Sequence, residues 1–314
     1  MEYDEFQAMN TIIQVAMEGE PDLTGEGFEI ARQFVADSEQ RFSRFRKDSE
    51  LTALNNSSGS WFEASSNLFE LVQESLELYS LTDGLFDPSI LPALIAAGYD
   101  RSFDEIHPTS VIPTHSASRM KRSDLENIRT DRVNQAIRLP AGLMLDLGGV
   151  AKGWIAAQAV RRLEQYCSAC AVSAGGDLAL SGLPIGEPDW KIALEDPRDP
   201  QQVLAVLKSG PGALATSSVT KRRWMQAGQE HHHIIDPRNW LPADPAWLSV
   251  TVWAQKATLA EAFAKSLLIA GPQEAPSLAA RIPGLRFIAV DPHGSLWGSH
   301  ESKEMICDVT ATIF

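Results

Sequence analysis

An α+β fold, rather than a doubly wound parallel sheet, is what this 314-residue sequence predicts. Strand-like and helix-like periodicities mix along it without the regular strand–helix–strand beat that a parallel sheet needs. Its 44% hydrophobic residues suffice for a sizeable core, and no shift in composition marks a linker. The length fits two ordinary domains or one large one; without a linker, residues 1–314 read as a single elaborated domain.

Thr11 to Met17 is expected as a strand. Phe28, Ala31, Phe34, Val35, Phe42 and Phe45 then recur at helical spacing, and Leu68, Leu71, Val72, Leu76 and Tyr79 mark a second helix. Gly84 to Gly98 is apolar and turn-rich, and Arg101 to Arg129 is a polar, aperiodic excursion. Ala136 to Leu145 reads as paired short strands, Val150 to Leu163 as a helix, and Ala169 to Leu180 as a strand pair around Gly175-Gly176. Short alternating strands follow at Trp190 to Glu195 and Val203 to Leu207. Leu248 to Ala254 is a buried strand, Leu259 to Ile269 a helix stopped by Gly271-Pro272, and Phe287 to Val290 a last strand.

Charge and composition exclude several functions. With 27 Lys+Arg against 41 Asp+Glu the net charge is −14, which argues against a nucleic-acid-binding surface. The acidic start at Met1-Glu2-Tyr3-Asp4-Glu5 is unlike a secretory signal. The longest apolar stretches fall well short of the ~20 residues of a membrane span, so no membrane anchor is expected. Three cysteines are too few for a disulfide framework, and Cys167/Cys170 is either a redox pair or two ordinary thiols. A cytoplasmic protein is the expectation.

Four segments carry candidate chemistry. In Leu145-Asp146-Leu147-Gly148-Gly149-Val150-Ala151-Lys152-Gly153 an apolar strand ends in a carboxylate, and two glycines and a lysine open a helix. Free N–H groups at a helix start together with one ammonium suit phosphate. It matches neither the Walker loop nor the dinucleotide turn, and a tight turn with a surface lysine is the other reading. His231-His232-His233-Ile234-Ile235-Asp236-Pro237 is an acid/base pair, a metal site or a solvated edge. Asp83-Gly84-Leu85-Phe86-Asp87-Pro88 reads as a turn capped by Asp87, and Gly212 to Ser218 is small and hydroxyl-rich.

The order of these segments resembles the ApbE family of FAD:protein FMN transferases over nearly the whole chain. Phe6-Gln7-Ala8-Met9-Asn10-Thr11 resembles the family's Met-Gly-Thr strand, and Phe42 to Leu51 with Leu54-Asn55 its D-S-E-L helix end. Gly84-Leu85-Phe86-Asp87-Pro88 and Asp146 to Gly153 match its G-x-F-D-P and D-L-G-G-I-A-K-G signatures. Gly175-Gly176-Asp177, Ala215-Thr216-Ser217, His233 to Pro237 and Ser249 to Val252 follow in family order. The resemblance implies a T-fold-like architecture of mixed or antiparallel sheets flanked by helices, with FAD in a central cleft. It also implies transfer of FMN from FAD to a Thr or Ser hydroxyl of a client protein, with AMP leaving and Mg²⁺ assisting. Carried over, Met9, Phe45, Leu85, Phe86, Asp87, Asp146, Lys152 and Ile235 contact FAD. His233 is the functional histidine, and the Gly149 carbonyl and Glu261 face the metal.

Four departures accompany the resemblance. The family's A-D-x-x-x-T becomes Ala260-Glu261-Ala262-Phe263-Ala264-Lys265, replacing a metal-binding hydroxyl by an ammonium. Either Lys265 takes the metal's place, or the protein binds FAD but transfers FMN poorly or not at all, or Lys265 points to solvent and a weaker metal site survives. Ser218 and Trp240 each stand where the family has glycine, removing easy access to positive φ. Asn10 does likewise, but asparagine tolerates unusual backbone angles.

Overall fold

Eight strands pair edge to edge in one wholly antiparallel sheet, in a computed structural model that describes residues 1–106, 122–226 and 228–309. Their order is Glu2–Ala8, Thr11–Glu18, Ala169–Ala174, Asp177–Ser181, Gly212–Ser218, Ser249–Ala254, Arg286–Val290 and Leu296–Gly298. All belong to a first compact unit, made of residues 1–36, 152–220 and 244–314. A second unit comprises residues 37–151 and 221–243. Each unit is assembled from separated stretches of chain, so no single linker divides the sequence and none is visible in its composition.

The sheet is covered on both faces, which explains why its inner strands read as nearly continuous apolar runs instead of alternating ones. One face, carrying Ala171, Leu180, Leu214, Ile288 and Val290, packs against Trp190, Leu194 and Leu207 of a three-stranded sheet. That smaller sheet pairs Trp190–Asp196, Asp199–Ser209 and Ile306–Val309. Side chains alternate along a strand, so Asp177 and Ala179 point the opposite way from Leu178 and Leu180. The other face bears helices. Pro21–Phe42 approaches Met17 and Leu163 so closely at Gly27 that a Cβ there would collide with the Met17 methyl. Ala257–Ala279 lies along the strands Gly212–Ser218 and Ser249–Ala254. It breaks at Gly271, whose φ of 70° is not helical, so the expected stop is real and a further helical run follows it.

Two tight hairpins lie side by side at one end of this sheet. Ala8 pairs with Thr11 across Met9-Asn10, and Ala174 pairs with Asp177 across Gly175-Gly176. All four turn residues have positive φ, the conformation that matches the twist of two-residue hairpins. Glycine adopts it freely and asparagine tolerably, whereas Met9 at φ 54° is strained. The Glu2–Ala8 strand itself was not expected from the sequence, because its Glu-Tyr-Asp-Glu run lacks apolar alternation.

The second unit holds the helices Glu50–Asn56, Ser66–Leu81 and Leu91–Ala96. Ser49 and Ser65 cap the first two by accepting from Thr52 and Leu68 N–H groups. Ala136–Arg138 is the middle strand between Trp61–Glu63 and Arg129–Asp131, so the expected pairing inside Ala136 to Leu145 is replaced by a hairpin with the segment just before it and by pairing to the distant Trp61–Glu63. The centre of the predicted Arg101 to Arg129 excursion, residues 107–121, lies outside the described residues. Among the described residues no helix is long and apolar enough to cross a membrane. Cys167, Cys170 and Cys307 are all free thiols, and burial raises the pKa of Cys167 and Cys170, which disfavours thiolate chemistry.

Candidate active site

Four charged side chains converge in the first unit. Lys152 stands in the opening turn of the helix Ala151–Leu163, and Asp177 begins the strand after the Gly175-Gly176 turn. Glu261 and Lys265 occupy successive turns of Ala257–Ala279. Because Asp177 lies on the helical face of the sheet, its carboxylate meets Lys152 and forms an ion pair with it. Glu261 is fully buried, with 0% of its side chain exposed. Its Oε1 accepts from Lys152 Nζ at 3.3 Å and from Lys265 Nζ at 3.2 Å, while Oε2 accepts the Gly153 N–H at 2.8 Å. That last donor is one of the N–H groups a helix start leaves without an intrahelical partner, so the carboxylate also caps the helix.

The electrostatics separate the two acids. Burial pushes Asp177 up to about 6, helped by repulsion from Glu261 and opposed by the two lysines. Burial acts on Glu261 in the same sense, but Lys152, Lys265 and the Gly153 N–H outweigh it and hold the carboxyl below its ordinary range. Gly153 is what permits this closeness. A Cβ there would sit 2.9 Å from the Ala257 carbonyl oxygen and 3.1 Å from Glu261 Oε2. Gly153→Ala is therefore expected to force the two helices apart and cost about 1–3 kcal/mol. A thermal melt checks it; a melting temperature equal to that of the parent protein contradicts the close approach.

This donor set does not suit a divalent cation. Mg²⁺ requires a shell of oxygens at about 2.0–2.1 Å. Here the Glu261 oxygens already accept from two ammonium groups and a backbone N–H. Among the described residues no group of three or more His, Cys, Asp or Glu side chains is placed to hold a metal ion. Of the two residues that the resemblance assigns to the metal, Glu261 is thus committed to lysines, and Gly149 is half-buried.

In the second unit, Arg44 organises a ring of aromatic groups. Its guanidinium lies over the Phe45 and Tyr99 rings, 4.1 and 4.5 Å from their centres, and donates to the Tyr99 carbonyl at 2.8 Å. Tyr99 contacts Trp224, which stacks on His231. Arg44 also pairs with Asp146 at 3.0 Å, the two side chains being 8% and 9% exposed. The other Asp146 oxygen accepts the Gly148 N–H at 2.6 Å, and the Asp146 N–H donates to the Pro88 carbonyl. Asp146 thus fastens its own glycine turn to the helix end at Arg44 and to the Gly84 to Pro88 segment.

That segment is itself tightly turned. Phe86 is buried with its N–H on Thr82 Oγ1, and Asp87 accepts from the Ser89 N–H and hydroxyl, the turn-capping role expected of it. Leu85 is half-buried and Phe45 exposed, so both present apolar surface. Ile235 is buried with Leu94, Tyr99 and Trp224. Met9, in the first unit, sits half-buried in its strained turn beside the Gly175 turn.

The three consecutive histidines divide their roles. His232 is buried, with Nε2 on the Ala243 carbonyl at 2.9 Å and Nδ1 accepting the Ile234 N–H at 3.2 Å. This requires the neutral Nε2–H tautomer. Burial lowers its pKa, so its contribution to stability is present above the unfolded histidine value of 6.5 and is lost as pH falls through its lower folded value. Ring ¹⁵N chemical shifts are expected to keep His232 neutral at pH values where exposed histidines have become charged. A midpoint at or above 6.5 contradicts that. His233 is half-buried in the loop between Gln229–His232 and Ile235–Asp236. Both Asp236 oxygens accept from Arg238, so that carboxylate serves the turn.

Two of the lost glycines, at 218 and 240, differ in consequence. Ser218 lies in a strand, with its hydroxyl on the Leu248 carbonyl and Thr220, and needs no positive φ. Trp240 adopts φ 65°, so the left-handed conformation persists there under a bulky residue, packed against the Tyr99–Trp224 cluster. Arg44, Gly153 and the charge role of Asp177 were not foreseen. Arg44 and Asp177 stand inside recognised motifs, and only their partners, distant in sequence, reveal what they do.

Residues 9–289 match the model of the ApbE family. A FAD:protein FMN transferase of Vibrio cholerae is 29% identical over 277 residues, covering 85% of this chain and 80% of that protein. One of Treponema pallidum is 27% identical over 276 residues, covering 81% and 74%. Among solved structures, the flavin transferase ApbE from Vibrio cholerae superposes with a TM-score of 0.80 at 25% identity, over 97% of this chain and 99% of that one. The ApbE protein of Thermotoga maritima, 24% identical over 97% and 99% of the two chains, gives 0.82 and shows the same fold.

Proposed function

The chain belongs to the ApbE family, and from that premise we propose that it is a FAD:protein FMN transferase. The reaction moves FMN from FAD to a Thr or Ser hydroxyl of a client protein. The hydroxyl oxygen attacks the phosphorus on the flavin side of the pyrophosphate, forming one P–O bond. The P–O bond to the bridging oxygen breaks, its electron pair leaves with AMP, and the hydroxyl proton passes to a base. Catalysis of such a step is mostly positioning and neutralisation of charge.

The observation that carries this reading is the Lys152 ammonium, held by Asp177 and Glu261 at the opening of a helix. Pairing with two carboxylates fixes a cation where the helix start already favours an anion. Lys152 faces the pyrophosphate in this proposal. Phe45, Leu85, Phe86, Asp87 and Ile235 contact the dinucleotide, with Met9 contributing from its turn. Asp146 acts by fixing the Gly148-Gly149 turn through Arg44. His233 receives the client's proton. Its neighbour is unsuited to that task, because both His232 ring nitrogens are already hydrogen-bonded.

Incubation with FAD and a client protein that offers an acceptor threonine tests the reading. Mass spectrometry is expected to find the client heavier by one FMN group, with AMP released in equal amount. FAD binding without any adduct would overturn the transferase reading.

A further inference from the structure

We propose that Lys152 and Lys265, tied together by Glu261, form a metal-free cationic centre that takes the FAD pyrophosphate in place of a divalent cation. The inference rests on the transferase reading and concerns how this chain supplies the charge that reaction needs. Both ammonium groups donate to the same oxygen, Glu261 Oε1, at 3.3 and 3.2 Å, so two positive charges converge on one point. Alone they would repel; the buried carboxylate between them holds the pair together.

Three features make the centre a fixed one. Glu261 is anchored at its second oxygen by the Gly153 N–H, so it cannot turn away from the lysines. Lys265 is one helical turn from Glu261 and also reaches the Glu261 backbone carbonyl at 3.4 Å. Asp177 holds Lys152 from the sheet side. Both lysine side chains remain 18% exposed, so their outer faces are open to an incoming anion, whereas the carboxylates behind them are sealed. An ammonium carries three N–H donors, and two of those on Lys265 reach Glu261, leaving the third for a phosphoryl oxygen. Two ammonium groups carry the same formal charge as one divalent ion. As the P–O bond to AMP breaks, the negative charge gathering on the departing phosphate is met by these N–H groups, already oriented.

The test uses the whole chain, with FAD binding followed by fluorescence quenching in EDTA and again in excess Mg²⁺. Mn²⁺ binding is read in parallel by electron paramagnetic resonance, and FMN transfer by mass spectrometry in both buffers. The expected result is the same FAD affinity in both buffers, no bound Mn²⁺, and transfer that persists in EDTA. Lys265→Met is expected to weaken FAD about 10- to 100-fold, the loss of one charge-assisted hydrogen bond, and Lys265→Arg to retain it. Affinity or transfer that falls in EDTA and returns with Mg²⁺ overturns the proposal while leaving the transferase reading intact. An unchanged affinity in a folded Lys265→Met protein overturns it too. Metal-independent binding with no adduct in either buffer removes the transferase reading and upholds the lysine centre as a pyrophosphate site. No FAD binding in any buffer overturns both.

Discussion

Replacing His233 with alanine is expected to slow FMN transfer by about 10²- to 10⁴-fold, the range that one positioned general base supplies. FAD affinity should change little, because the proposed role is toward the client's hydroxyl and not toward the dinucleotide. The loss belongs in the rate of the chemical step, and it should shrink as pH rises and hydroxide replaces the missing base. His233 is half-buried in a loop end, whereas His232 beside it is buried with both nitrogens engaged. His232→Ala should therefore lower stability first and activity only through it. A His233→Ala protein that transfers FMN at the parent rate would place the base elsewhere.

Removing the Glu261 carboxylate is the change expected to cost most stability. Glu261→Ala deletes the acceptor for Lys152, for Lys265 and for the Gly153 N–H in one step. Two ammonium groups are then left facing each other without the carboxylate between them, and a helix-start N–H is left without its acceptor. Breaking a buried ion pair by deleting one partner typically costs about 3–5 kcal/mol. Glu261→Gln keeps the acceptor for Gly153 and the side-chain volume, so it should lose less than alanine does. The urea midpoint of the tryptophan fluorescence transition measures both. A loss below about 1 kcal/mol for alanine would mean that water satisfies the lysines, as it does for surface pairs.

Much of the architecture was legible because it is written in local chemistry. Ala169 to Leu180 reads as two strands because Gly175-Gly176 is the residue pair a two-residue hairpin wants, and both glycines indeed have positive φ. Gly271-Pro272 reads as a helix stop because a left-handed glycine ends the helical hydrogen-bond pattern, and the break is there. The strand Glu2–Ala8 was illegible for the converse reason. Its first four residues are acidic or exposed, and it is a strand because Thr11–Glu18 pairs with it.

The site divides along the same line. The family, the α+β class and the motifs in which Asp146, Lys152, Asp177, His233 and Glu261 stand are readable from the chain's residue order. Residue type, spacing and period are properties of adjacent positions, and such properties survive without knowledge of the fold. What those residues hold emerges from the folded packing. Lys152 and Glu261 meet across 109 positions, and Gly153 and Glu261 across 108. Asp146 is claimed by Arg44, and His232 by the Ala243 carbonyl. That Lys265 reaches Glu261 follows from their i, i+4 spacing on one helix, but that Glu261 is buried and shared with Lys152 depends on the packing of that helix against Ala151–Leu163. No local pattern encodes that packing, and it separates a lysine on the surface from a cation at the site.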